Sequence, residues 1–342
     1  MANIPRSSSE RKPLLIPTPS GLYCEPGDFY IDPRRSVAKA LITHAHSDHA
    51  RPGSQAYLCA LPGVSILRHR LGARAHISGI PYGEQRSIGD VRVSFHPAGH
   101  ILGSAQIRIE TSGEVWVFSG DYKRADDPTC APFETVRCNT FITESTFGLP
   151  IYRWDSGARI ALEILGWWNA CRERGRAAIL YSYSLGKAER ILAELAQITD
   201  QSVFVHETIH SVVDCYREER IRMLPTLPIP KEPTNTSLSG HLILVPPNAH
   251  SSSWMKHIGT YETAFASGWM VTRSSRRQNG FDRGFVLSDH ADWPALIQTV
   301  KESAADRVLV THGHTGPVVR YLRESGFDAA SLDSEPPGRS DP

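Results

Sequence analysis

The chain has 342 residues, and its 37 basic and 36 acidic side chains leave a formal net charge of +1. That balance excludes a global polycation that binds nucleic acid indiscriminately, so any anion-binding surface must be local. The length suits two domains, one inserted in the other. No apolar run reaches the length of a membrane span or a signal peptide, which predicts a cytoplasmic protein with no membrane association.

In chain order, both ends lack a hydrophobic face and are expected to be loose. Short strands between Gly, Pro and polar turns are predicted at 27–31, 39–43, 91–96, 105–110, 115–119 and 140–143, with one short helix at 65–71. From Ser156 the texture changes, with Ile160, Leu162, Ile164, Leu165 and Trp168 recurring at helical spacing to about residue 174. Trp167 and Trp168 are read as helix packing. A buried strand at 177–181 leads into a helix predicted from Ser184 to about Ile198, and strand then helix repeats after 202–205, which implies a parallel α/β unit. The Pro- and Thr-rich stretch 224–238 reads as a surface crossing. Strands at 242–245, 285–287 and 308–311 and a helix at 294–302 complete the alternation. The six cysteines are widely spaced with no CxxC pair, which argues against a zinc ribbon or redox motif and for reduced, buried thiols.

The chemistry concentrates in His44-Ala45-His46-Ser47-Asp48-His49, which places four metal-binding side chains in six residues. In an extended segment, residues two apart share a face, so His44 and His46 can meet one ion while Asp48 and His49, past the turn, meet a second. Four more islands follow: His100 in a Gly-flanked turn, Asp121 at the end of a strand, Ser288-Asp289-His290-Ala291-Asp292, and Thr311-His312-Gly313-His314. Imidazole with carboxylate and no thiolate suits a catalytic zinc, manganese or iron site better than a structural one. A shared carboxylate such as Asp121, with water activated between two ions, favours phosphodiester hydrolysis, while lactam, lactone and thioester hydrolysis stay open on metal grounds.

In this order, HAHSDH, GHILGSA, SGD and THGH resemble the four ligand motifs of the metallo-β-lactamase fold. Thr143-Glu144-Ser145-Thr146-Phe147-Gly148, the segment around His290, and Val310-Thr311-His312-Gly313 resemble the three signatures of the β-CASP nucleases, over about residues 21–326. The resemblance implies an αββα sandwich carrying an inserted α/β domain, with boundaries at 1–152, 153–275 and 276–342. It implies two divalent ions, zinc or manganese, with His44, His46 and His100 on the first, Asp48, His49 and His312 on the second, and Asp121 bridging. Asp48, Glu144 and His290 are the implied catalytic groups; His290 contacts the scissile phosphate and donates a proton to the leaving oxygen, and Glu144 orients it. His314 is read as a neighbour, not a ligand.

The pattern is most similar to the compact bacterial ligase-associated DNA exonucleases, which implies single-stranded or end-containing DNA as substrate, a role in DNA repair, and association with a DNA ligase and a helicase. His312 is shared with the RNA-processing branch, so an RNA nuclease of the 3′-end-processing or ribonuclease J kind is the alternative, and a non-catalytic nucleic-acid-binding scaffold a further one. For phosphate binding, Ser182, Ser184 and Lys187 stand where a strand gives way to a helix, and Arg273, Arg276 and Arg277 form a basic loop upstream of His290.

Overall fold

The computed structural model describes residues 12–111, 113–230, 238–249, 255, 258–272 and 280–334, and these described residues build three sheets. The first two pack face to face. Period-two alternation decides which side chains go where: Leu41 points into the space between them while Ala40 and Ile42 point outward, and Ile142 and Leu309 point inward while Phe141, Val308 and Val310 point outward. The outer face of the first sheet is covered by the helix Val64–Leu71, through Ile66 and Leu67, and that of the second by Trp293–Ser303 and Thr315–Glu324. This is the expected αββα sandwich.

What matters for function is the edge where strands end together. In the second sheet Glu114–Phe118, Thr140–Ser145 and Arg307–Gly313 run parallel, with Phe118 opposite Ile142 and Ile142 opposite Leu309. Asp121, Glu144 and His312 therefore arrive at one edge, and His44 reaches it from Lys39–Leu41 of the first sheet.

The third sheet is wholly parallel, with Ala177–Tyr181 flanked by Leu242–Val245 and Tyr261–Ala266. Gly157–Glu173 and Lys187–Leu195 cover one face. Trp168 is buried there, and its Nε1 donates to Gly240 O at 2.9 Å. The last strand, Arg283–Phe285, lies past residue 275, where the insertion is expected to end, so we place the return to the sandwich after Phe285. The crossing at 224–238 contains a short edge strand, Thr226–Pro228, paired with Val203–Val205. Among the described residues no helix is long and apolar enough to cross a membrane.

Lys187–Leu195 begins later than the Ser184 start that the sequence suggests. Gly186, at φ +99°, precedes it, and Glu189 reaches back to accept the Gly186 N–H at 2.7 Å. All nine residues are buried, Glu189 and Arg190 among them. Loss of solvent pushes the Glu189 carboxyl from 4.5 up to about 8, against the hydrogen bonds it accepts. Unfolded, that group has lost its proton above about 4.5, whereas folded it keeps it to about 8. Raising pH through this window therefore favours the unfolded chain. Glu189→Gln, which keeps an acceptor for Gly186, is expected to flatten the fall in thermal midpoint between those pH values and to raise the midpoint at the alkaline end, as read by calorimetry.

Candidate metal centre

Four donor atoms, from His44, His46, His100 and Asp121, lie within 4.8 Å of one another. His44 Nε2 is 3.0 Å from His46 Nδ1, which is 3.1 Å from His100 Nε2, and Asp121 Oδ2 stands 3.6 Å from His44 Nε2 and 3.8 Å from His100 Nε2. Donors bound to one tetrahedral ion at zinc–nitrogen distances are ~3.4 Å apart. The spacing fits a single cation.

The far side of each ring supports the same reading. His46 Nε2 donates to Leu185 O at 2.9 Å and His100 Nδ1 to Asp289 O at 2.6 Å. His44 Nδ1 donates to Thr43 Oγ1 at 3.0 Å, because that hydroxyl spends its own hydrogen on Asp32 Oδ2 at 2.6 Å. A neutral imidazole has one N–H, and each ring has committed it outward, so the converging nitrogens present lone pairs. Burial, helped by the neighbouring imidazoles, holds His44 and His100 well below the ordinary histidine value, and burial also lowers His46. Three neutral rings with their lone pairs turned together are a cation site.

The second set is looser. His49 donates through Nδ1 to Asp32 Oδ2 at 2.8 Å, and its buried Nε2 has no hydrogen-bond partner among the described residues, lying 3.6 Å from Asp121 Oδ2 and 3.7 Å from Asp48 Oδ2. Burial opposes a charge on His49, yet Asp121 and Asp32 outweigh it and push the ring up to about 10, so a proton or a cation belongs at this nitrogen. Asp48 is 70% exposed at its side chain, and the exposed His312 places its ring centroid 5.5 Å from that of His49. His312 holds the left-handed conformation at φ +53°, and Gly313 follows at φ +72°, where a Cβ would come within 2.4 Å of Ser145 O. The turn is thus tucked under Ser145, whose hydroxyl donates to His312 O.

A third group joins Asp121, Glu144 and His290. Glu144 is buried, accepts the Tyr122 N–H at 2.8 Å, and takes His290 Nδ1 at 3.0 Å. Against burial, His290 holds the Glu144 carboxyl low, while Glu144 and Asp121 push His290 up to about 9. A cation beside Asp121 pulls that second value down.

Of the expected phosphate contacts, Ser184 lines the cleft beside the metal centre. Ser182 is buried and its Oγ has no hydrogen-bond partner among the described residues. Lys187 is 5% exposed and its ammonium is paired with Asp289, which removes it from the role of a free phosphate cation, and the turn ahead of its helix is closed by Glu189 instead of open to an anion. Arg273, Arg276 and Arg277 lie outside the described residues. His314 precedes Thr315–Glu324 and its ring stacks on Tyr152 at 6.2 Å.

Sequence reading missed Asp32, and it gave Asp289 no role although Asp289 stands in the island around His290. Asp32 follows the strand Phe29–Ile31 at φ +42° and collects Thr43 N–H at 2.8 Å, Thr43 Oγ1–H and His49 Nδ1–H. A carboxylate directly after an apolar strand was the available signal. Asp289 binds His100 through its carbonyl while its carboxylate is held far below the ordinary range, because Lys187, Lys123 and Arg190 outweigh its burial.

No family model matches the chain. A protein of Opitutus terrae named Probable DNA ligase is 29% identical over 318 residues, which is 92% of this chain and 31% of that protein. Endoribonuclease YSH1 of Gibberella zeae is 28% identical over 169 residues, 48% of this chain and 19% of that one. The chain thus spans less than a third of the length of these relatives. A crystal structure of a protein of unknown function from Enterococcus faecalis V583 superimposes with a TM-score of 0.59 at 11% identity, over 89% of this chain and 80% of that one, a likeness of fold. Sandwich, insertion and ordered motifs together define the metallo-β-lactamase fold with a β-CASP insertion. In its ordered motifs and in the relatives it aligns with, the chain is similar to the β-CASP group of that family.

Asp32→Asn replaces an acceptor of His49 and Thr43 with a donor. It is expected to weaken zinc or manganese affinity about 10- to 100-fold, measured by competition with a chelator, while circular dichroism stays unchanged.

Proposed function

We propose that this chain is a two-metal DNA exonuclease that hydrolyses phosphodiester bonds near strand ends and works in the cytoplasm beside a DNA ligase and a helicase in repair. The observation that carries the reading is the His290–Glu144 pair at 3.0 Å, standing 3.9 Å from Asp121 Oδ2 at the rim of the four-donor cluster. A general hydrolytic site needs the cluster alone. A second, positioned proton donor suits the departure of a poor alkoxide leaving group.

His44, His46, His100 and Asp121 would hold one divalent ion, and Asp48, His49 and His312, sharing Asp121, a second. Such ions, zinc or manganese, supply Lewis acidity and water activation when bound. Glu144 accepts the Nδ1 proton of His290 and so fixes the ring, leaving Nε2–H to protonate the departing sugar oxygen. Asp32, Asp289 and Leu185 orient the ligand rings by taking their outward protons. The strand enters a cleft of about 580 Å³ that reaches His46, Asp48, His100 and His290 and is walled on its other side by Tyr183, Ser184 and Trp269.

Alignment of nearly the whole chain with part of a protein named for DNA ligation supports DNA as the polymer. The likeness to a protein named as an endoribonuclease supports a second reading, RNA, with the same residues in the same roles.

End-labelled single-stranded DNA and RNA, digested with zinc, with manganese and with chelator, separate the two. DNA is expected to shorten progressively from one end in the presence of metal and to persist in chelator; preferential loss of RNA sinks the DNA assignment. His290→Gln is expected to lower kcat about 10²- to 10⁴-fold with little change in KM, the loss of a proton donor and not of a binding group. Asp121→Ala is expected to lose both bound metal and cleavage, and full activity in that variant overturns the two-metal mechanism.

A further inference from the structure

The third sheet has a crevice of its own. The chain leaves Ala177–Tyr181 toward Val203–Val205 on one side, and leaves the adjacent parallel strand Tyr261–Ala266 toward Arg283–Phe285 on the other. Adjacent parallel strands whose connections depart in opposite directions open a gap at their C-terminal ends, and ligands of α/β sheets bind there. Here the gap faces the metal centre, since residues 183–185 and 267–269, which follow those two strands, line the same cleft as His46, His100 and His290.

Two aromatic side chains stand at this point with a free face. Trp269 is 41% exposed and Tyr183 49% exposed, although both belong to a cleft that is otherwise rich in hydroxyls and imidazoles. Trp269 is held in place. Ser267 Oγ accepts its backbone N–H at 3.3 Å, and its ring packs on Phe147 at 4.7 Å and edge-on to Tyr152 at 5.9 Å. Gly268 allows that approach, because a Cβ there would lie 2.6 Å from Phe147 Cζ and 3.0 Å from Ser288 Cβ. Phe147 in turn lies 5.8 Å from the ring of His290, so Trp269 is one side chain removed from the proposed proton donor. Tyr183 leans on Phe265 at 6.1 Å. A rigid, half-exposed ring costs little entropy to bind against and offers a flat surface that every nucleobase can cover.

We infer that Trp269 and Tyr183 form a nucleobase subsite, on which the base beside the scissile phosphate stacks and which registers the strand on the metal centre. The inference rests on the nuclease reading above, and the test separates the two. The probe is a short fluorescein-labelled single strand with phosphorothioate linkages, which resist hydrolysis, compared with the same strand carrying abasic positions; both are titrated into the metal-loaded full chain and followed by anisotropy. The wild-type protein is expected to bind the base-bearing strand about 5- to 100-fold more tightly than the abasic one. Trp269→Ala and Tyr183→Ala are expected to shrink that ratio, and Trp269→Phe to keep most of it. A structural role for Trp269 would weaken both strands equally and leave the ratio intact. Absence of discrimination in the wild type, or an unchanged ratio in both alanine variants, overturns the subsite whatever the cleavage result. Cleavage of the ordinary phosphodiester strand, measured alongside, reports only on the nuclease reading.

Discussion

The arrangement depends on one buried carboxylate. Asp289 pairs with Lys187 and, at 3.3 Å, with Arg190, both from the helix Lys187–Leu195 of the third sheet. Arg190 also donates to Ser288 O at 2.7 Å and lies 3.3 Å from Asp127 Oδ2, without hydrogen-bond geometry at its Nε, while Asp127 pairs with the buried Lys123. Charges taken out of water are tolerated only in such company; removing one partner of a buried pair typically costs about 3–5 kcal/mol. The cluster therefore fixes where the inserted unit sits. It also fixes the site, because Asp289 takes the His100 proton through its carbonyl and is followed directly by His290.

The two donor sets differ in kind. The first is built from two buried rings, His44 and His100, and the half-buried His46, whose outward protons are all assigned, that of His46 to a partner across the junction of the units at Leu185. The second has one buried ring, His49, and two exposed groups, Asp48 on a turn and His312 at the end of the strand Arg307–Gly313. Rigidity on one side and access on the other is what a hydrolytic centre requires, since one position must be preorganised and another must admit solvent and substrate.

Much of this was legible in the sequence where chemistry is dense and local. HAHSDH pointed to a metal centre by spacing alone, Asp121 could be placed because it closes an apolar strand, and Glu144 was placed by the resemblance of its segment to a β-CASP signature. The α/β texture after Ser156 revealed an insertion. Its far edge was not visible, because Arg283–Phe285 is only three residues long and follows a stretch with no periodicity. Strands such as Gly21–Cys24 and Arg86–Ile88 escaped for the same reason, being too short to show alternation. Ser184 looked like the start of the helix, but Gly186 with Glu189 closes that turn, and a glycine followed three residues later by a glutamate is an ambiguous signal. The Asp289 cluster was out of reach altogether, since Lys187 and Asp289 stand 102 residues apart and a lysine at a helix start reads as solvated.

The wholly buried helix Lys187–Leu195 has a consequence for how such proteins diverge. An insertion joined by flexible linkers could be traded between relatives as a unit, but this one plugs its lysine and arginine into acids that belong to the host sandwich. Host and guest must change together at Asp127, Lys187, Arg190 and Asp289. A hybrid assembled from two relatives needs this quartet from a single parent, or it inherits an orphan charge next to the proposed metal ligands.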